Sequence, residues 1–188
     1  MLKSLMILAM NLTFGVAIAS DNSGNVIELN GAVAPEVIES GLFPKSSTSA
    51  DCEEAAKAGF TCGQIVPRGI VPQKVFSLPG NVSFASGSSQ LTEAAKAVLA
   101  SFGPVLKRNE GSSNSVIFVG HTDITGSKQL NQQLSQRRAE AVRKYFITAF
   151  GISPSFLKAK GVGAEQLKDK GNPSSSVNRR VEISSQSR

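Results

Sequence analysis

Tryptophan is absent from this 188-residue chain, tyrosine and histidine occur once each, and cysteine occurs twice. Without Trp and with one Tyr there is no aromatic platform on which bases or sugars could stack. A single histidine leaves little for a metal site or for catalysis by imidazole. Two cysteines exclude a miniprotein held together by disulfides. A G-x-S-x-G turn is also missing, which removes the usual setting of a serine hydrolase nucleophile. What remains is an ordinary globular composition, 40% hydrophobic and 18% charged, with Lys and Arg outnumbering Asp and Glu by 20 to 14. A surplus of +6 over this length fits a solvated surface as well as it fits an anionic partner.

The first nineteen residues read as a signal peptide. Lys3 supplies the positive start, Leu5 to Ile18 is mostly apolar, and Ala17-Ile18-Ala19 offers the small residues that signal peptidase requires, with cleavage after Ala19. The run is too short for a spanning helix and is interrupted by Asn11 and Gly15. No cysteine stands at the cut, so the exported chain is expected to be soluble and not lipid-anchored. Residues 20–72 alternate short apolar runs with Gly, Pro and Ser and read as linker plus small elements. Eight strands of about ten residues cannot fit there, which excludes a membrane barrel in that stretch. Asp51 can cap a short helix from Cys52 to Ala58. Cys52 and Cys62, ten apart in a compartment that oxidises thiols, are expected to form a local disulfide.

Residues 73–188 carry the pattern of one domain. Val75, Phe76 and Leu78, then Val82-Ser83-Phe84, have strand composition around a Pro79-Gly80 turn. Thr92 is placed to cap a helix in which Leu91, Ala95, Val98, Leu99 and Phe102 recur at helical spacing, and Pro104 should kink or end it. Val116 to Val119 has the continuous apolar character of a central strand. A long helix follows from about Ser127 to Phe150, stopped by Gly151, and Ser153-Pro154 can open a last short turn of helix. Lys158 to Val162 and Arg180 to Ile183 complete the strands. The order β-α-β-α-β-β predicts an α/β two-layer sandwich, a mixed sheet with helices on one face.

Plotted at about 100° per residue, the long helix puts Leu130, Leu134, Ala141, Val142, Tyr145, Phe146 and Ala149 within one arc. Asn131 and Arg138, two turns apart, fall in the middle of it. A guanidinium buried without a partner is strongly unfavourable, so Arg138 should face a carboxylate, a cavity, or both. Asp123, in the loop between the central strand and this helix, is the leading carboxylate. A structural Asp123 to Arg138 salt bridge and a ligand site fit the periodicity equally well.

Gly120-His121-Thr122-Asp123, Gly126, Asn131, Leu134-Ser135, Arg138-Ala139, Gly161-Val162-Gly163 and Asn178-Arg179-Arg180-Val181-Glu182-Ile183 follow one another in an order and spacing similar to the OmpA-like C-terminal domain, the OmpA/MotB family. Val82-x-Phe84 and Ser89-x-x-Thr92 resemble the start of that domain, and the likeness runs from about Val75 to Ile183. The resemblance implies noncovalent binding of peptidoglycan through the diaminopimelate of its stem peptide, in the periplasm or at the outer membrane, with no cofactor and no catalysis. By the same resemblance Asp123 takes the ligand ammonium and Arg138 its carboxylate, Asn131 hydrogen-bonds the ligand, and Arg179 adds a basic contact. Thr122 either orients the loop or caps a turn. Arg180, next along a strand, should point to the face opposite Arg179. The sequence departs from the family at Ala85 and Gly87, where an acidic and a polar residue are common, and at Ser175, where many members carry arginine.

Three other functions fit the sequence less well. His121 and Asp123 could share one side of an extended segment, but a metal centre needs a third ligand, and His121 is read as a partly buried residue hydrogen-bonding its own loop. A wall-anchoring subunit of a membrane motor or secretion complex would require the leader to remain as a membrane anchor. Export makes nucleic acid an unsuitable partner; envelope proteins could instead engage residues 20–72.

Overall fold

The computed structural model describes residues 19–20, 25–44, 73–85 and 87–187. The leader up to residue 18, the Cys52 to Ala58 helix and the Cys52–Cys62 pair lie outside the described residues. Six strands, β1 (Ala19–Ser20), β2 (Val26–Glu28), β3 (Val75–Pro79), β4 (Asn114–His121), β5 (Leu157–Gly161) and β6 (Arg180–Ser187), form one sheet in the order β1-β2-β3-β6-β4-β5. The β2–β3 and β4–β5 pairs are parallel and the rest antiparallel, giving the mixed sheet expected. The helices are α1 (Pro35–Leu42), α2 (Gly80–Ser83), α3 (Glu93–Ala100), α4 (Gly103–Arg108) and α5 (Lys128–Phe150).

Period-two burial decides which face of each strand meets the helices. Val116 and Phe118 of β4, Phe76 and Leu78 of β3 and Val181 and Ile183 of β6 are all buried in the core. Phe118 stacks on Phe146 of α5 with ring centres 5.5 Å apart, and Phe76 meets Phe102 edge-on at 5.2 Å. The helix ends follow local chemistry. Thr92 accepts the Ala95 amide at 3.1 Å, Ser127 accepts that of Leu130 at 3.2 Å, and Gly151 ends α5 with φ of 60°. Pro104 sits in the first turn of α4 and separates it from α3.

Three expectations are corrected. Val82-Ser83-Phe84 does not form a strand. Gly80–Ser83 is a helical turn closed by the Phe84 amide on Gly80 O at 3.1 Å, and Phe84 keeps only an isolated bridge to Leu91. Three strand-like residues are too few to resist that turn once Pro79 has ended β3. Ser153-Pro154 opens a turn but no helix. On α5, Leu130 is 64% exposed and Ala149 is also exposed; the buried stripe is instead Asn131, Ser135, Arg138, Ala139, Val142 and Phe146. The N-terminal half of α5 rests on glycine backbone in place of apolar side chains: a Cβ on Gly120 would lie 2.1 Å from Ser135 O, and one on Gly161 2.3 Å from Gln136 N. Within residues 20–72, read as linker plus small elements, β2 joins the sheet beside β3 and α1 lays the fully buried Ile38 and Leu42 into the core.

Candidate functional site

The end of β4, the 122–126 loop, the start of α5, α2 and Arg179 enclose a cleft of about 540 Å³. Thr122, Asp123, Asn131, Arg138 and Arg179, the five residues singled out in the sequence, all line it. Three constraints bring them there. β4 runs straight into Thr122 and Asp123, the close approach of α5 to Gly120 brings Asn131 and Arg138 over the strand end, and the pairing of β6 with β3 and β4 carries Arg179 to the same rim.

Asp123 is buried and is fixed by both oxygens. Oδ2 accepts Arg179 Nη1 at 2.6 Å and Oδ1 accepts the Thr125 amide at 2.9 Å. Burial pushes this carboxyl up, but the Arg179 guanidinium and Thr125 outweigh it and hold the group below its ordinary value. It is therefore ionised across neutral pH, and two bonds leave acceptor capacity on its oxygens. Asn131 donates to the carbonyls of Asp123 and Thr125 at 3.2 and 3.1 Å, so both its amide hydrogens hold the loop against the helix.

Of the carboxylate and the cavity that Arg138 could face, it takes the cavity. It is 4% exposed, yet Asp123 pairs with Arg179 instead. Arg138 Nε donates to Ser88 O at 3.0 Å and its guanidinium carbon lies 5.1 Å from the centre of the Phe84 ring, while Nη1 is buried with no hydrogen-bond partner. Burial and the neighbouring Arg179 lower its pKa, partly offset by Asp123, as expected for a cation short of counter-charge. A second orphan, Thr122 Oγ1, lies at the same cleft; the Thr122 amide is already bound to Gly163 O at 2.9 Å. The cleft thus presents an ionised carboxylate beside a flat donor fork with an unused N–H, a pairing suited to a ligand that carries an ammonium and a carboxylate on one end. Gly87 also lines it, at φ of 66°.

The expectation for His121 is corrected. It is 1% exposed and turned to the sheet face away from the helices, where its Nε2 lies 3.4 Å from Glu182 Oε2, and neither ring nitrogen hydrogen-bonds its own loop. Arg180 shares that face as expected, donating from Nε to Glu182 Oε1 at 2.7 Å. Sequence reasoning missed Glu182 as the hub. The available signal was its place two residues after Arg180, on the same side of one strand. It also missed Asn178, whose amide bonds to Asp169 O, Asn172 O and Pro173 O shape the loop leading to Arg179.

Among the described residues no group of His, Cys, Asp and Glu could hold a metal ion, and no helix is long and apolar enough to cross a membrane. Compared with known proteins, the chain matches the OmpA family model over residues 83–180. It is 36% identical over 111 residues to the probable lipoprotein YiaD of Escherichia coli strain K12, which covers 58% of this chain and 49% of that one. It is 38% identical over 76 residues to the peptidoglycan-associated lipoprotein of Pseudomonas aeruginosa, covering 39% of this chain and 45% of the relative. A putative MotB like protein from Desulfovibrio vulgaris, of known structure, shares the fold at a TM-score of 0.50 and 28% identity, over 61% of this chain and 73% of the other. The chain thus spans about half the length of these curated relatives.

Proposed function

Because the chain belongs to the OmpA family, we propose that it binds peptidoglycan noncovalently in the cell envelope, gripping the zwitterionic end of a diaminopimelate stem residue, and catalyses no reaction. In this reading Asp123 receives the ammonium, Arg138 donates to the carboxylate through its unused Nη1, and Thr122 Oγ1 offers a further bond. Arg179 sets the charge and position of Asp123, and Asn131 holds the loop that presents it. Residues 1–19 serve as a cleaved export signal, and Cys52 and Cys62, between α1 and β3 in the chain, pair as a disulfide. The name of the P. aeruginosa relative, a peptidoglycan-associated lipoprotein, points the same way.

The observation that carries the proposal is the buried Arg138 with no counter-ion of its own beside an open cleft. A structural arginine would be paired. The exported chain is expected to cosediment with intact sacculi. Arg138→Ala and Asp123→Ala should weaken this about tenfold or more, the effect of losing a charge-assisted hydrogen bond, while both variants stay folded by circular dichroism. Undiminished binding by both variants would remove the clamp assignment. Unfolding of Arg138→Ala would instead make the residue structural.

A further inference from the structure

Beside the cleft, a second pocket of about 290 Å³ shares Asn81 and Arg179 with it as walls. Its floor includes Ser77 and Glu28, register partners on β3 and β2. Ser77 alternates with the core residues Phe76 and Leu78, so this pocket opens on the sheet face away from α5. Its charges are already satisfied: Glu28 pairs with Lys168, Arg180 with Glu182 and Arg179 with Asp123. A phosphate or a free carboxylate would find no unpaired cation there. The neutral side-chain groups that remain are the Asn30 and Asn81 amides and the Ser77 and Ser176 hydroxyls. Ser77 is 1% exposed and its Oγ has no hydrogen-bond partner. Buried hydroxyls are nearly always paired, so one left over beneath a pocket points to a ligand atom. Pro79 and the half-exposed Val177 add an apolar wall in place of the missing aromatic rings.

Amides, hydroxyls, balanced charge and a small apolar wall suit a neutral ring that bears hydroxyl and amide groups. We propose that this pocket is a subsite for an acetamido sugar of the glycan strand, so that the chain holds the wall polymer at two adjoining points. The assignment rests on the peptidoglycan reading above. Five of its walls, Glu28, Asn30, Ser77, Pro79 and Asn81, lie before the family-matched residues 83–180, and Glu28 and Asn30 are supplied by β2 and the residues that follow it.

Calorimetric titration with two probes tests it: the stem tripeptide ending in meso-diaminopimelate, and the same tripeptide carried on the N-acetylglucosamine–N-acetylmuramic acid disaccharide. The sugar-bearing probe is expected to bind on the order of tenfold tighter, the effect of one or two net hydrogen bonds. Asn30→Ala and Ser77→Ala should bring it down to the tripeptide's affinity and leave the tripeptide unaffected. Neither change removes a core apolar side chain, and Ser77→Ala breaks no hydrogen bond within the described residues. Equal affinity for the two probes, or full sugar-probe affinity in both variants, overturns the subsite and leaves the peptide clamp standing. A sugar-bearing probe that binds where the tripeptide does not, and loses binding in Asn30→Ala, supports the subsite and overturns the clamp. Binding of neither probe overturns both.

Discussion

Glu182 is the residue whose ionisation the fold depends on most visibly. Burial alone would raise its pKa, but His121 and Arg180 more than offset this and take it from 4.5 to about 2. A carboxylate whose pKa is depressed on folding contributes stability that is complete above the unfolded value and disappears as pH falls through the folded one. Glu182 therefore supports the domain above pH 4.5 and ceases to do so on acidification toward pH 2. Its side chain is 24% exposed, which keeps solvent screening moderate. Glu182→Gln is expected to lose about 2 kcal/mol at pH 7 and to show a flatter dependence of urea midpoint on pH over the acid range; parallel pH profiles for the two proteins would remove Glu182 as the source. At the same scale, Asn131 and Arg138 were legible because two polar residues stood inside an apolar helical arc. Their partners were not. Arg179 meets Asp123 across 56 positions of sequence, through the pairing of β6, and helix periodicity carries no record of such a pairing.

The helix ends legible in the sequence are those set by local chemistry: Thr92 as a cap, Ser127 as the approximate start of the long helix, Gly151 as its stop and Pro104 as a break. Where placement depends on what lies beneath, the arc alone misled. Leu130 belongs to the apolar arc by angle yet faces solvent, because α5 approaches the sheet over Gly120 and Gly161 and leaves no depth there for a leucine. That approach is what carries Asn131 and Arg138 to the end of β4. Gly120→Ala puts a methyl 2.1 Å from the Ser135 carbonyl oxygen, a backbone atom that can retreat only if the helix moves. The variant is expected to lose about 3 kcal/mol or more in urea unfolding and to bind sacculi more weakly even where it remains folded. Gly111→Ala, with nothing within 4 Å of the added carbon, is the control and should be neutral or slightly stabilising. Equal stability of the two variants would show that α5 is free to shift and that the close approach does not set the site.

At the scale of the whole molecule, the family-matched segment 83–180 and the folded body do not coincide. β2 extends the sheet beyond β3, with Leu29 N donating to Ser77 O and Val75 N to Asn25 O, both at 2.8 Å. α1 lays Ile38 and Leu42 into the core, and Phe43 stacks on Phe156 at 6.2 Å. Glu39 ties the same helix to α4 through Arg108 at 3.0 Å and Asn109 at 3.1 Å, and the Leu42 carbonyl accepts the Ser185 hydroxyl of β6. Composition concealed this because the stretch is rich in Gly, Pro and Ser and its apolar residues come singly or in short runs, with no partner visible until β3 and α4 are in place. Residues 73–188 alone would expose one edge of β3 and uncover Phe76, whose ring lies against Gly41. Leu29, Ile38 and Leu42 are each at most 2% exposed, and at about 1.5–3 kcal/mol for a fully buried aliphatic side chain their loss should exceed about 4 kcal/mol. Against a typical domain stability of about 5–15 kcal/mol, that is a large share. Urea unfolding of 73–188 beside 20–188 is thus expected to show a markedly lower midpoint and, since less surface is buried, a shallower slope. Coincident midpoints would mean that α1 and β2 dock without stabilising the domain. In that event the cooperatively folded body would end at β3, and the Asn30 side of the second pocket would have to be an accessory attached to it.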